Sequence, residues 1–359
     1  MKLTSAVLLL GACLLIGCGP KGVTPDLLLE PPRLPSPTSA RYVRSPGQPS
    51  DAVIAELAKA HQWDESLSGA AASLALSWAE LGTVPTTWRA REASWQAGYA
   101  YPVSTLRGWG SPIGSEPPPE LLEWLADLGD GVDLGLVRAR GSTGDFWVGL
   151  AATPAHDLGS LPRQIQVGGR INLPVVAGAE ATVSAPDGRL FRASLEIPQP
   201  IEADQRGEWL VEVKLSESRI ALFPIYAGMM PPEEGLIEPM GRPESAQRAE
   251  EQVRQAWQSA RGAYGRAPLE DDTMLTAAAR SAIAEGAANS AQVSQTLGYG
   301  PDRIWFIECR AKTIEACMDQ IVWNPAARPA LLQFAGHQGL AVTLSETEIH
   351  VFGWVADPR

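Results

Sequence analysis

Lysine is scarce in this chain of 359 residues. It stands only at positions 2, 21, 59, 214 and 312, and the formal net charge is −12. With no polybasic run, the sequence offers no electrostatic footing for nucleic acid or for anionic lipid head groups. Histidine occurs only at 61, 156, 337 and 350. There is no Gly-x-Ser-x-Gly elbow, no Walker loop and no His-Glu-x-x-His pair. A Ser–His–Asp triad stays open, because its members need not be adjacent in sequence. No apolar run reaches the ~20 residues that span a bilayer. A hydrophobic fraction of 45% excludes a disordered chain, and the length suits two or three domains.

The N-terminus reads as an address. Lys2 precedes an apolar stretch from Leu3 to Ile16, too short to span a membrane but suited to a signal peptide over 1–17. The stretch ends Leu15-Ile16-Gly17-Cys18, which resembles the bacterial lipobox. That resemblance implies acylation of Cys18 and cleavage after Gly17. An ordinary secretory signal with a chance cysteine is the alternative. Two or three acyl chains anchor stably, at about 0.8 kcal/mol per buried CH₂. Gly19 follows the cysteine in place of Asp, which by analogy permits outer-membrane sorting in a Gram-negative cell. Residues 18–50 then form a tether, with proline at 20, 25, 31, 32, 35, 37, 46 and 49. Such segments favour extended, semi-rigid backbone.

Cys13 leaves with the signal and Cys18 takes lipid. Cys309 and Cys317 remain, an even pair in an exported protein, which points to a disulfide; two buried free thiols are the other reading. Zinc would need further ligands, and the nearest His is His337.

Three segments carry folding patterns. In 51–157, Ala52–Ala60 reads as a short helix, with His61 placed in it, and Glu65–Leu81 as a longer one with Leu67, Ala71, Leu74 and Trp78 on one stripe. A Trp-rich stretch follows (Trp88, Trp95, Tyr99, Tyr101, Trp109) that reads as irregular. Its aromatics either fill the core or stack on a sugar or partner. A helix over Glu120–Leu128 and a hairpin of Val132–Arg140 with Phe146–Ala152 complete this part. Segment 158–228 is strand-like, with six short candidate strands and a Pro186-Asp187-Gly188 turn, which argues an immunoglobulin-like β-sandwich. Residues 229–245 are an acidic, Pro-containing linker. Segment 246–359 has helices over Glu250–Tyr264, Met274–Ala288 and Ile314–Val322, then strands Gly339–Leu344 and Glu348–Val355. The Glu270-Asp271-Asp272 trio fits a helix N-cap better than a metal site.

The first and third segments are alike. Asp64-Glu65-Ser66-Leu67 resembles Asp272-Thr273-Met274-Leu275, and each is followed by an Ala-rich helix. Leu134-Gly135-Leu136-Val137 then Phe146-Trp147-Val148 stands against Gly339-Leu340-Ala341-Val342 then Phe352-Gly353-Trp354-Val355. A diverged duplication and a chance match are both open at this level.

The third segment resembles the CAP superfamily (cysteine-rich secretory, antigen 5 and pathogenesis-related proteins) in its bacterial form. The runs that carry the likeness are Ser259-Ala260-Arg261, Gly265, Pro268-Leu269, Asp271 with Leu275–Ala279, and Asn324-Pro325-Ala326-Ala327-Arg328. The Gly339-Leu340-Ala341-Val342 strand completes them. The resemblance implies an α-β-α sandwich, and a multidomain α+β chain in which such units flank the β-sandwich. It also implies a cavity of His and Glu side chains able to hold a divalent metal. Here the position before Arg328 is Ala327, and the usual Gly-Glu-Asn is replaced around Ile304–Glu308. Metal binding is therefore expected to be lost, with no cofactor. Glu308, His337 and His350 remain as pocket candidates. The function expected is a lipid-anchored envelope protein, extracytoplasmic and held to the membrane through Cys18, that binds or scaffolds a protein, glycan or lipid. The rival is an envelope hydrolase whose site would need Glu308, His337 and His350 to converge.

Overall fold

The computed structural model describes residues 41–82, 84–231, 240–286, 290–300, 303–332 and 336–357. The expected signal peptide, Cys18 and most of the expected tether lie outside them. The chain is mixed α and β. It opens with β1 (Arg41–Tyr42), α1 (Ala52–Ala58), β2 (Gln62–Trp63), α2 (Glu65–Leu81), α3 (Thr87–Gln96), β3 (Thr105–Ser111), α4 (Pro119–Asp127), β4 (Asp133–Arg140) and β5 (Asp145–Ala152). The middle holds β6 (Leu161–Pro162), β7 (Gln164–Ile165), β8 (Gly169–Ile171), β9 (Ala179–Ser184), β10 (Leu190–Ser194), β11 (Ile201–Ala203), β12 (Gly207–Leu215) and β13 (Ser218–Ala227). The last part holds α5 (Ala246–Ala263), β14 (Glu270–Asp271), α6 (Thr273–Glu285), α7 (Ser290–Leu297), β15 (Ile304–Ala311), α8 (Ile314–Val322), α9 (Arg328–Leu332), β16 (His337–Leu344) and β17 (Ile349–Ala356).

Two four-stranded sheets share one topology. Their orders are β2-β4-β5-β3 and β14-β16-β17-β15. In each, the short first strand runs parallel to the third and the other pairings are antiparallel. Helices cover both faces, so each unit is an α-β-α sandwich. The first helix after the short strand starts the same way in both. Asp64 accepts from the Leu67 amide at 2.9 Å, and Asp272 from the Met274 and Leu275 amides at 2.7 and 3.0 Å. Each helix ends on a left-handed glycine, Gly82 or Gly286.

Small residues let these helices lie almost on the sheet. A Cβ on Gly135 would stand 2.4 Å from the Leu67 carbonyl carbon, and one on Gly339 2.1 Å from that of Leu275. On the opposite faces, Gly149 meets the Trp124 ring and Gly353 the Trp257 ring. Gly135 therefore matches Gly339, one place away from the match read from the hairpin sequences. A slip of one residue would turn every strand side chain to the wrong face.

The Trp-rich stretch is regular, contrary to the sequence expectation. It forms α3 and β3, and Trp88, Trp95, Tyr99 and Tyr101 are buried. Glu92 and Ser94 of α3 are buried beside its apolar residues, which hides any apolar periodicity. His61 lies past the end of α1. In the last part, α7 and β15 form where no element was read.

In the middle, five strands pair in the order β10-β9-β12-β13-β7. What accompanies this sheet is the two-stranded ribbon β8–β11, not a second full sheet of the immunoglobulin kind. The reason lies in the neighbours, since the outer units cover what a second sheet would. The bare edge of β13 is closed by the first unit: Leu222 N–H donates to Ala100 O at 3.3 Å, Trp95 Nε1 to Leu222 O at 2.7 Å and Tyr42 Oη to Pro224 O at 2.6 Å. Pro224 sits on that edge, where a missing N–H leaves no unpaired donor. One hydrophobic core runs from the α2 face of the first sheet, through the middle sheet, to the α5/α8 face of the last. The two sandwiches meet through opposite layers: Trp95 of α3 packs edge-on against Trp323 after α8, centroids 4.7 Å apart, and Arg91 pairs with Asp319.

Cys309 of β15 and Cys317 of α8 are disulfide-bonded, Cα atoms 5.5 Å apart. Replacing both with serine is expected to cost about 2.5 kcal/mol for so short a loop. Urea unfolding with and without a thiol reductant checks this. Identical midpoints in the two conditions would contradict it.

Candidate functional site

Glu308, His337 and His350 lie on the same sheet face but do not converge. Glu308 Oε1 is 2.9 Å from His350 Nε2, and Arg310 Nε donates to the same imidazole nitrogen at 3.2 Å. His350 pairs with Thr343 across the sheet, six residues along β16 from His337. At about 3.3 Å per residue that is roughly 20 Å. The hydrolase trio is thus a pair, exposed Glu308 with half-buried His350, and a distant third. In the first unit the positions that match Glu308, Arg310 and His350 are Gly108, Gly110 and Phe146, with Trp78 packed on Gly108 and Phe146. Among the described residues, no group of three or more His, Cys, Asp and Glu is placed to hold a metal ion. A shallow depression of roughly 630 Å³ beside β7, lined by Ile165, Arg206, Met229 and Met230, contains none of these candidates.

The polar site that the fold does build lies at the start of each repeated sheet, and it turns on residues the sequence reading passed over. Ser94, Gly98 and Tyr99 end α3, and Ser294, Gly298 and Tyr299 end α7 with the same spacing. In both, the tyrosine amide donates back to the serine carbonyl, at 2.7 and 3.1 Å, across a glycine of positive φ. Comparing the chain with itself at an offset of 200 residues would have exposed the pattern.

In the first unit Tyr99 Oη donates to Asp133 Oδ2 at 2.8 Å. Asp133 is 2% exposed, and Arg44 grips it with two nitrogens, Nε at 2.8 Å from Oδ2. Arg44 Nη2 also reaches Gln62 Oε1 at 3.2 Å. The following residues are laid along the outer edge of β2. Ser45 N–H donates to Asp64 Oδ2 at 2.7 Å, Glu65 N–H to Ser45 O at 2.8 Å and Gly47 N–H to Trp63 O at 3.2 Å. Burial, and then the nearby Asp133 carboxylate, push the Asp64 carboxyl above its ordinary value against the donors it accepts. Burial and Asp133 push the Tyr99 hydroxyl far above its own, so it stays a proton donor.

In the last unit His337 takes the register position of Asp133, opposite Glu270 where Gln62 stands in the first. Without an aspartate there, Tyr299 Oη turns to Asp272 Oδ2 at 3.2 Å. Burial raises the Asp272 carboxyl, but the Leu275 and Met274 amides, Tyr299 and His337 outweigh it and hold it below the usual range. Gln338, fully buried, and Arg254 of α5 both donate to Asp271 Oδ1 at 3.0 Å.

A second polar cluster joins the parts. Arg328 Nη1 lies 2.9 Å from Glu208 Oε1, both side chains 4% exposed, and Tyr264 Oη donates to the same oxygen at 3.0 Å. The Arg328 guanidinium also lies over the Tyr264 ring at 4.6 Å. Burial works against the Arg328 charge, and Tyr264 and Glu208 more than restore it.

These features define a class: a protein of two α-β-α sandwiches of one topology, joined by a central sheet. No protein-family profile matches the chain, and no curated protein does. Among solved structures, an extracellular protein containing an SCP domain from Bacillus anthracis is similar at 12% identity. That match covers 63% of this chain and 86% of that one, with a TM-score of 0.23. At that level neither fold nor function is carried across.

Proposed function

We propose that this chain is a lipid-anchored envelope protein that acts as a binding or scaffolding module without chemistry of its own. The observation that carries the reading is the strand-holding site of the first unit. Its polar groups grip an extended peptide, Arg44–Gly47, through backbone and guanidinium contacts. That is the geometry of a peptide holder, and it contains no activated nucleophile. The continuous core supports the scaffold half of the reading, because it makes the body stiff. The Cys309–Cys317 disulfide suits an oxidising, extracytoplasmic compartment. On this reading 18–50 is the tether, 51–157 and 246–359 are CAP-like units, 158–228 the central sheet and 229–245 a linker. Among the described residues no helix is long and apolar enough to cross a membrane; on this reading Cys18 is the point of attachment.

Metabolic labelling with an alkyne-bearing fatty acid tests the anchor. The wild-type chain is expected to take the label and sediment with membranes, and Cys18→Ser to lose both. A Cys18→Ser chain that keeps the label would refute it.

A further inference from the structure

The β14 edge of the last unit repeats the edge that holds Arg44–Gly47 in the first. The groups that pair with that segment are Trp63 O and Glu65 N–H. Their counterparts are Asp271 O and Thr273 N–H, and among the described residues neither has a hydrogen-bond partner. The described part of the stretch that leads into α5, residues 240–245, does not fill the place. It runs to the opposite end of the sheet, where Arg242 Nη2 donates to Ser345 O at 2.8 Å. Gln258 of α5 takes both backbone groups of Leu269, at 2.9 and 3.1 Å, so the open edge begins at Asp271.

We infer that this edge docks an extended, arginine-bearing segment of a partner protein, as one more strand beside β14. The first unit shows the bound form. A guanidinium lies against the side chains at the sheet's end, and the next residues pair with the strand edge. The charge at the open copy suits the same occupant. Glu270 stands where Gln62 receives part of the Arg44 fork, so the acid lost when His337 replaces Asp133 reappears directly across on the neighbouring strand. Glu270 and Asp271 are exposed, on a chain of net charge −12. An arginine there meets a carboxylate, and an acidic peptide would be repelled.

The inference rests on the binding-module reading but not on the anchor. Failure of acylation would leave it standing, and failure here would leave the anchor standing. The probe is a fluorescent peptide of residues 41–49 of this chain, titrated onto the intact protein in detergent and read by anisotropy. The tethered copy of that segment keeps the first unit filled, because it acts at high effective concentration. Saturable binding is expected. Glu270→Lys is expected to weaken it about tenfold or more, the loss of one charge-assisted hydrogen bond.

Thr273→Pro is expected to do the same with thermal unfolding unchanged. Proline is tolerated at the first helical position, the preceding Asp272 is already extended (φ −112, ψ 122), and only the outward N–H is lost. A peptide with Arg44→Glu should not bind, and Glu348→Lys, far from this edge, should leave binding as it was. No saturable binding, or binding indifferent to both Glu270→Lys and Thr273→Pro, overturns the inference. So does sedimentation showing that the protein dimerises and that the peptide breaks the dimer, because the occupant would then be a second copy.

Discussion

Replacing Arg328 with methionine lowers the free energy of unfolding by about 3–5 kcal/mol. The arginine and its partner Glu208 are both almost fully buried, at the meeting of α9, β12 and the residue that follows α5. Removing the cation strands a carboxylate, with the Tyr264 hydroxyl left to donate to it. Glu208→Gln alone strands the guanidinium instead. The double variant Arg328→Met with Glu208→Gln removes both charges and is expected to recover most of the loss, because a neutral pair of similar volume carries no uncompensated burial. Urea unfolding followed by tryptophan fluorescence reads this directly. A loss below about 1 kcal/mol would show the pair to behave as a surface bridge. The core is continuous through this junction, so each chain should unfold in a single transition.

Gly339→Ala is expected to cost about 3 kcal/mol, the upper part of the overpacking range. The new methyl would stand 2.1 Å from the Leu275 carbonyl carbon and 2.2 Å from the Thr276 nitrogen, both backbone atoms of α6. No side-chain rotation relieves such a contact, and the helix must lift from the sheet as a whole. Gly135→Ala should behave alike, with its methyl 2.4 Å from the Leu67 carbonyl carbon. Gly110→Ala is the control: a methyl there meets nothing within 4 Å. If Gly339→Ala and Gly110→Ala unfold at the same urea concentration, the close approach of α6 is wrong. Equal damage at 135 and 339 would support the equivalence of the two sheets by energetics as well as topology.

Much of the fold was legible locally. The bounds of α2 and α8 follow from their caps and apolar stripes, and Glu65–Leu81 and Ile314–Val322 form as read. The Asp272 cap, both terminal hairpins and the Cys309–Cys317 pair also form. Each is decided within about a dozen residues, by capping chemistry, side-chain period or redox pairing. The helix α3 was illegible because polar Glu92 and Ser94 are buried along with Trp88, Ala93 and Trp95, so its inward side is no apolar stripe. Of the site candidates, Glu308 and His350 met, and His337 proved to belong with Asp272 and Tyr299 at the far end of the sheet.

The sequence by itself determined the local elements, the acidic charge, the likeness of the two outer segments and the cysteine pairing, all properties of short windows. Tertiary structure alone decided which glycine matches which, because register depends on what the opposite strand and helix leave room for. It alone decided that Arg328 answers Glu208, 120 positions away. It also decided that Arg44 closes one copy of the repeated edge while residues 240–245 lead away from the other. Such contacts join residues whose spacing in the chain carries no period, so they come into being only when the parts are packed together.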